Sequence, residues 1–235
     1  MNIVIPAAGA GKRFRDAGYL LPKPFIDVAG KPMITRVYEC FVPKGQHRVV
    51  AVVPKGSPRI YDVQSIELPE VTDGAARTVS VAIHLSALRL DDPLMIVNSD
   101  QVFDWDVAKF VSFVEHEKSD GAMVLFDVGD GSARWSYAAV NEIGDITVVA
   151  EKKPISTWAT AGVYYWRRTG DFLQAALDMI AAEDRTNGEF YVAPVYNYAI
   201  RQGARVAPYV ISASSFHDLG TPESLQTYLA QMAPA

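Results

Sequence analysis

A run of small residues and three nearby cations near the N-terminus are suited to holding a triphosphate. A short apolar strand, Ile3-Val4-Ile5-Pro6, leads into Ala7-Ala8-Gly9-Ala10-Gly11 and then Lys12-Arg13-Phe14, and after a gap the chain reads Leu21-Pro22-Lys23-Pro24-Phe25. The small residues let backbone N–H groups approach anionic oxygens, and Lys12, Arg13 and Lys23 can neutralise them. The spacing fits neither common phosphate loop. A P-loop, G-x-x-x-x-G-K-[ST], would find Pro6 in place of its first glycine and Arg13 in place of its hydroxyl. A dinucleotide fingerprint would find Phe14 in place of its third glycine. Taken alone, the segment also reads as a glycine turn with solvated basic side chains.

Carboxylates elsewhere could complete such a site. Asp100 closes the very apolar run Leu94-Met95-Ile96-Val97, where a carboxylate is costly unless solvated, hydrogen-bonded or bound to a cation. Phe216-His217-Asp218-Leu219-Gly220-Thr221-Pro222-Glu223 puts another aspartate in a tight turn ahead of a helix. Asp100 and Asp218 could share one hard divalent ion, and Mg²⁺ favours carboxylate oxygen together with substrate phosphate; each also reads as a turn or capping residue. Asp104-Trp105-Asp106 has the D-x-D form of a glycosyltransferase metal motif, and Asp106 equally suits the N-cap of the helix that follows. Glu151-Lys152-Lys153-Pro154 ends another strand. Either lysine could receive a substrate phosphate as a point charge, because neighbouring strand residues face opposite sides.

The elements that must position these residues alternate along the chain. Strands are expected at 2–6, 48–53, 94–97 and 121–127, with helices at about 33–42, 75–90 and 107–117. Short apolar runs followed by helices point to parallel strands in a doubly wound α/β sheet. Strands at 135–141, 145–151 and 161–167 follow with short connections, as antiparallel additions. Helices near 170–182 and 189–202, a strand at 205–211 and a helix beginning at Pro222 behind a Thr221 cap complete the layout. The expectation is a single domain, 1–235, with a nucleotide-side part at about 1–130, an acceptor-side lobe at about 131–215 and a C-terminal helix at 222–232.

Bulk properties narrow the class. With 235 residues, 49% hydrophobic and 21% charged, the chain can bury a substantial core. A net charge of -5 argues against general nucleic-acid binding. The single Cys40 excludes an internal disulfide and a thiolate zinc site, and it sits on the apolar face of Ile34, Val37, Tyr38 and Phe41, which reads as core. With no leader pattern and no apolar run near the about eighteen residues a membrane span needs, a cytosolic protein without a membrane partner is expected. Homo-oligomerisation stays open.

Taken in order, these segments resemble the sugar-phosphate nucleotidyltransferases, or nucleoside-diphosphate-sugar pyrophosphorylases, of the short bacterial branch. Gly9-Ala10-Gly11-Lys12-Arg13-Phe14 is similar to the family's glycine-rich signature, and Pro22-Lys23-Pro24-Phe25 with Ala29-Gly30-Lys31-Pro32-Met33 to its P-K-P and G-K-P segments. Asp73-Gly74-Ala75-Ala76 resembles the base loop, Asn98-Ser99-Asp100 the strand-end metal aspartate, and Glu151-Lys152-Lys153-Pro154 the E-K-P with one extra lysine. Ala161-Gly162-Val163-Tyr164, Asn187-Gly188-Glu189-Phe190-Tyr191 and Asp218-Leu219-Gly220-Thr221 resemble the acceptor-side segments and the second metal aspartate. The bifunctional relatives' β-helical acyltransferase domain is expected to be absent.

The resemblance implies a Rossmann-like mixed, mainly parallel sheet of the nucleotide-diphospho-sugar transferase type with a small antiparallel acceptor-side lobe. It also implies joining of an NTP to a phosphorylated acceptor with release of pyrophosphate. Ala7, Ala8, Gly9, Ala10, Gly11, Lys12, Arg13, Lys23, Asp73, Gly74, Ala75 and Ser99 would line the nucleotide. Arg13, Lys23 and Lys152 or Lys153 would be catalytic, and Asp100 and Asp218 would hold Mg²⁺. Glu151, Gly162, Tyr164, Glu189 and Trp135 would meet the acceptor, taken first as a sugar 1-phosphate destined for surface polysaccharide. Trp135, Trp158, Tyr164, Tyr165 and Trp166 crowd the acceptor side, so phosphocholine or a phosphorylated amino acid with CTP is a rival acceptor class. A metal-dependent glycosyltransferase and a silent nucleotide-binding module are more distant rivals.

Overall fold

Uninterrupted runs of Val, Ile, Leu and Met make strands whose two faces must both be covered. In the computed structural model, which describes residues 1–42, 47–129 and 131–232, that requirement produces three layers. The first half of the chain contains β1 (Asn2–Pro6), α1 (Lys12–Asp16), β2 (Asp27–Val28), β3 (Lys31–Pro32), α2 (Met33–Phe41), β4 (Arg48–Pro54) and β5 (Gln64–Leu68). Next come α3 (Ala75–Leu85), β6 (Leu94–Val97), β7 (Gln101–Phe103), α4 (Val107–Glu117) and β8 (Gly121–Asp127). The second half adds β9 (Ser136–Val140), β10 (Ile146–Glu151), β11 (Trp158–Trp166), α5 (Thr169–Ala181), α6 (Val195–Arg201), β12 (Val206–Val210), β13 (Phe216–Asp218) and α7 (Pro222–Met232).

Nine strands form one mixed sheet in the order β10-β9-β11-β6-β1-β4-β5, with β8 and β12 branching from β11. β1 pairs in parallel with both β4 and β6, so strand order reverses at β1 and a crevice opens at the carboxyl ends of β1 and β6. Side chains of alternating parity feed two cores. Ile3, Ile5, Ala51, Met95 and Val97 pack with α2 and α4 on one face, while Val4, Val50, Val52, Leu94 and Ile96 pack with α3, α5 and α6 on the other. The acceptor-side strands are part of this same sheet, since β11 runs antiparallel to β6 and β8 and touches β9 at Ala159. Among the described residues no helix is long and apolar enough to cross a membrane.

Most expected elements stand where the periodicity puts them, with physical reasons for the exceptions. α3 stops at Leu85, short of the expected 90, because Ala87 turns left-handed (φ 48°) and Leu88 N–H closes onto the Ile83 carbonyl at 3.2 Å. The helix expected at 189–202 begins only at Val195, because the preceding residues are committed elsewhere. Thr186 and Glu189 exchange backbone hydrogen bonds of 3.0 Å across Asn187 and Gly188, which have φ of 50° and 81° and form a tight hairpin turn. Beyond that turn, Phe190 N–H donates to the Asp73 carbonyl at 2.8 Å and the Phe190 carbonyl accepts from Ala76 N–H at 3.0 Å. At the C-terminus, Thr221 and Ser224 cap α7 reciprocally, each hydroxyl accepting the other's N–H at 3.1 Å.

Phe190 is seated against Gly74, whose φ of 132° suits glycine alone, and a Cβ there would stand 2.4 Å from the Phe190 nitrogen and oxygen. Gly74→Ala is therefore expected to destabilise the protein by about 2 kcal/mol or more, read as a lowered urea midpoint. An unchanged midpoint would show that the two loops are not held together at this point.

Candidate active site

The glycine-rich turn, the lysine that follows it and the end of β6 meet at the crevice. Gly11 lies left-handed (φ 58°) immediately before α1, and a Cβ on it would come 3.3 Å from Lys23 Cβ, so the turn and the lysine segment pack back to back. Lys23 starts a single 3-10 turn, Lys23–Phe25, whose Pro24 and Phe25 are buried and anchor it. Its Nζ donates to Asp100 Oδ2.

Asp100 follows β6 in the turn Asn98-Ser99-Asp100, and β7 starts at the next residue. β7 pairs antiparallel with β13, which puts Asp218 opposite Gln101, and Leu219 N–H donates to the Asp100 carbonyl at 2.7 Å. This two-stranded sheet brings together carboxylates far apart in sequence. A Cβ on Gly220 would lie 2.8 Å from Asp100 Oδ2 and 2.9 Å from Asp218 Oδ1, so both oxygens converge on one point that glycine leaves open. Burial raises the Asp218 pKa and the nearby Asp100 charge raises it further, while Arg134 and the Gly220 N–H partly offset this. Arg134 pairs with Asp218 and lies 4.7 Å above the Trp135 ring. Among the described residues no third His, Cys, Asp or Glu joins the pair.

Adjoining cavities of about 420 and 400 Å³ share Arg13, Lys23, Asn98, Asp100 and Gly220 in their walls. The first is lined by Ala7, Gly9, Ala10, Gly11, Lys12 and Ser99, and the second by Trp135, Ser136, Glu151, Lys152, Tyr164 and Asp218; Ala75, Glu189 and Tyr191 border both. Arg13, Lys23, Ala75 and Glu189 line both cavities, Asp100 lies where they join, and Asp218 lines the second.

Lys152 and Lys153 are told apart by the backbone. Lys152 is left-handed (φ 54°) and its N–H donates to the Trp135 carbonyl at 2.9 Å, which carries its side chain into the second cavity. There its Nζ donates to the Tyr191 hydroxyl at 2.6 Å and lies 4.8 Å from that ring's centre. Lys153 is exposed and lines neither cavity, so the catalytic candidate is Lys152.

Other expected residues also lie elsewhere. Asp73 lines neither cavity, because its carboxylate pairs with Arg77 and, at 2.9 Å, with Arg185. Both guanidiniums lie over the Phe190 ring, at 5.5 and 4.0 Å, so Asp73 braces the base loop against the acceptor segment. Gly74 backs this brace, Ala8 is buried in the core under the cleft, and Gly162 lies behind Gln101 and Asn98. The D-x-D residues are spent structurally: Asp106 accepts from Ala108 N–H at 3.0 Å as a helix cap, Trp105 packs on Phe41, Phe103 and Phe110, and Asp104 meets His217 at 2.9 Å. Cys40, expected in the core, is half-buried against its edge, where its thiol donates to the Phe103 carbonyl at 3.7 Å and burial raises its pKa. Arg134, Tyr191, Asn98 and Gln101 are cleft residues outside the sequence-derived site. Gln101 carried a local signal, as the neighbour of the strand-end Asp100; Arg134 lies in a loop with no periodicity to mark it.

A model of the nucleotidyl transferase family matches residues 2–233. The chain is 26% identical to a UTP–glucose-1-phosphate uridylyltransferase of Haloferax volcanii over 95% of its own length and 93% of that protein. It is 26% identical to the mannose-1-phosphate guanylyltransferase catalytic subunit beta of Xenopus tropicalis, covering 77% of this chain and 52% of that one. It is 27% identical to the bifunctional protein GlmU of Bordetella petrii, covering 88% of this chain and 46% of that one. The chain thus spans nearly all of the first relative and about half of the other two. The fold is shared with a nucleoside-diphosphate-sugar pyrophosphorylase of Vibrio cholerae at a TM-score of 0.80 and 24% identity, over 97% of this chain and 100% of that one.

Glu151 gives the site a measurable strain. Its carboxylate accepts from the Ser136 hydroxyl, yet burial raises its pKa above the usual glutamate value, so the folded protein favours the neutral form. A raised carboxyl pKa gives stability that is present at low pH and lost as pH rises through the folded-state value. Glu151→Gln should therefore raise the melting temperature at pH about 8, with the gain shrinking toward pH about 4. A gain that instead grows on acidification would contradict the burial argument.

Proposed function

Because the chain belongs to the nucleotidyl transferase family, we propose that it joins an NTP to a sugar 1-phosphate, giving an NDP-sugar and pyrophosphate. A phosphate oxygen of the acceptor attacks the α-phosphorus in line as pyrophosphate departs. That oxygen is already anionic near neutral pH, so catalysis rests on positioning and charge neutralisation rather than on a strong base. Arg13 and Lys12 hold the triphosphate over the glycine turn, Lys23 neutralises charge at the α-phosphate, and Lys152 draws the acceptor phosphate toward it.

The observation that carries this reading is the meeting of Asp100 and Asp218 at the junction of the cavities. Two converging carboxylates, one of them with burial and the other's charge opposing its ionisation, fit a hard divalent cation, whose remaining ligands would be phosphate and water oxygens. We propose that these aspartates hold Mg²⁺, which when bound supplies positive charge to the reacting phosphates. An NDP-sugar is a glycosyl donor; we propose surface polysaccharide synthesis as its use and the cytosol as its place.

The acceptor class draws support from the rings as well. Tyr165 and Trp166 are buried in the two cores and lie outside the cleft. Of the rings that do border it, Tyr164 is buried and hydrogen-bonds Thr160, and Trp135 and Tyr191 already carry Arg134 and Lys152 on their faces. That arrangement favours a polyhydroxylated acceptor over a quaternary ammonium, which would need a free aromatic cage.

A pyrophosphate-release screen of several NTPs against sugar 1-phosphates, phosphocholine and phosphorylated amino acids tests the reading. Turnover is expected with a sugar 1-phosphate and is expected to stop when EDTA removes the divalent ion. Release with no sugar phosphate, or full activity in EDTA, would overturn it. Asp100→Ala and Lys23→Ala are each expected to lower kcat on the order of 10²-fold or more while keeping a cooperative melting transition. Lys152→Ala should cost on the order of 10-fold or more in kcat/KM for the acceptor, whereas Lys153→Ala should leave it near wild type. Equal losses in the two lysine variants would refute the assignment of Lys152.

A further inference from the structure

The two carboxylates of the cleft carry their counter-ions in different ways. The oxygens that face their shared point are Asp100 Oδ2 and Asp218 Oδ1, which would stand 2.8 and 2.9 Å from a Cβ on Gly220. Arg134 pairs with the other oxygen of Asp218, Oδ2, and the Gly220 N–H donates to Oδ1 at 3.0 Å. Lys23 instead places its Nζ on Asp100 Oδ2, the converging oxygen itself. The Lys23 and Asp100 side chains are 20% and 19% exposed, so water screens this pair only in part.

The lysine can leave that oxygen without disturbing the fold. Its backbone is fixed by the buried Pro24 and Phe25, and its Cβ packs against the glycine turn at Gly11. Beyond Cβ, a flexible stem carries a compact charge that can move between partners, and Lys23 lines both cavities. Asp100 and Asp218 set against Lys23 and Arg134 make a cluster whose charges cancel. A free divalent cation therefore meets no net attraction there, and at Asp100 Oδ2 it meets an ammonium already in place, which repels it. A polyphosphate in the cleft draws the lysine to its own oxygens and leaves the converging carboxylate oxygen uncovered.

We infer that Lys23 keeps the cation site closed in the ligand-free protein and that the nucleotide opens it, so that the divalent ion and the NTP are retained together. The inference rests on the nucleotidyl-transfer reading above and adds to it a coupling between the two ligands. One side chain serves in turn as the counter-ion of Asp100 and as the partner of the α-phosphate. Moving it once removes the obstacle for both ligands, so each raises the affinity for the other by the same factor. Arg134 has no such role, because it meets the oxygen of Asp218 that faces away from the shared point.

The test titrates Mn²⁺ alone, with no nucleotide, into wild type, Lys23→Met, Lys23→Gln and Arg134→Met, reading bound ion by electron paramagnetic resonance. Lys23→Met is expected to bind Mn²⁺ on the order of 10-fold more tightly than wild type, although it is impaired in turnover. Arg134→Met removes the same charge from the outer oxygen and should gain much less. The rise in melting temperature on adding Mn²⁺ should likewise be larger in Lys23→Met than in wild type. Lys23→Gln keeps the test alive should the methionine variant fail to melt cooperatively in EDTA. With an NTP that supports turnover, the gain in NTP affinity brought by Mg²⁺ should be on the order of 10-fold smaller in Lys23→Met than in wild type. Unchanged or weaker Mn²⁺ binding in the folded Lys23 variants, or an equal gain in Arg134→Met, would overturn the inference while leaving wild-type nucleotidyl transfer intact. Wild type that releases pyrophosphate from no pairing of NTP and sugar 1-phosphate would instead remove the reading on which the inference rests, whatever the Mn²⁺ affinities.

Discussion

The structure depends on a repulsion that it creates and then contains. Asp100 and Asp218 converge over Gly220, where burial and their mutual charge oppose ionisation of Asp218. The backbone leaves them no freedom to separate: β13 pairs with β7 in fixed register, and Leu219 N–H ties the second aspartate's turn to the Asp100 carbonyl. Lys23 and Arg134 lie against the pair as counter-charges, each delivered by a different part of the chain. An apolar core would not need this arrangement, and the covered sheet on either side supplies the stability that sustains it.

What the sequence revealed follows from which forces act locally. The apolar runs before Pro6 and Asp100 are long enough for periodicity to show, so the strands, their parallel order and the strand-end carboxylate were legible. β7 and β13 have three residues each and no readable period, yet they bring Asp218 to Asp100. The residue types alone left Asp218 open between a turn aspartate and a partner of Asp100 for one cation, and the family resemblance favoured the second. The helix expected from residue 189 shows the opposite failure. Phe190 is pinned to the 73–76 loop by its own backbone, and the helix starts only after Pro194. Lys152 and Lys153 could not be separated by strand alternation, because the deciding fact is a left-handed residue at the end of β10. Asp73 entered the expected site only through the resemblance of its loop; that two arginines distant from each other in sequence engage it is a tertiary fact.

The aromatic residues teach a related lesson. Their number on the acceptor side suggested a stacking platform, yet their distribution follows the pleat of β11. Tyr165 packs into one core, and Tyr164 and Trp166 pack into the other. Of the rings that line the second cavity, Tyr164 belongs to that second core, while Trp135 and Tyr191 lie under the cations of Arg134 and Lys152. Most of the remaining lining of the second cavity is polar.

Positioning in this cleft is a property of one continuous hydrogen-bonded surface. Asn98 N–H donates to the Gly162 carbonyl at 2.9 Å, Ala159 of the same strand pairs with Tyr137, and Trp135 accepts from Lys152 N–H at 2.9 Å. These links run from the β6 end, through the β11 bulge, to the lysine on the acceptor side. The distance between Asp100 and Lys152 is therefore set by sheet geometry rather than by the packing of two separate lobes. For an in-line displacement, which gains most of its rate from alignment, a rigid path of backbone bonds is worth more than a flexible one. The one interruption in that path is the bulge at Gly162, and it falls where the sheet makes space for Gln101.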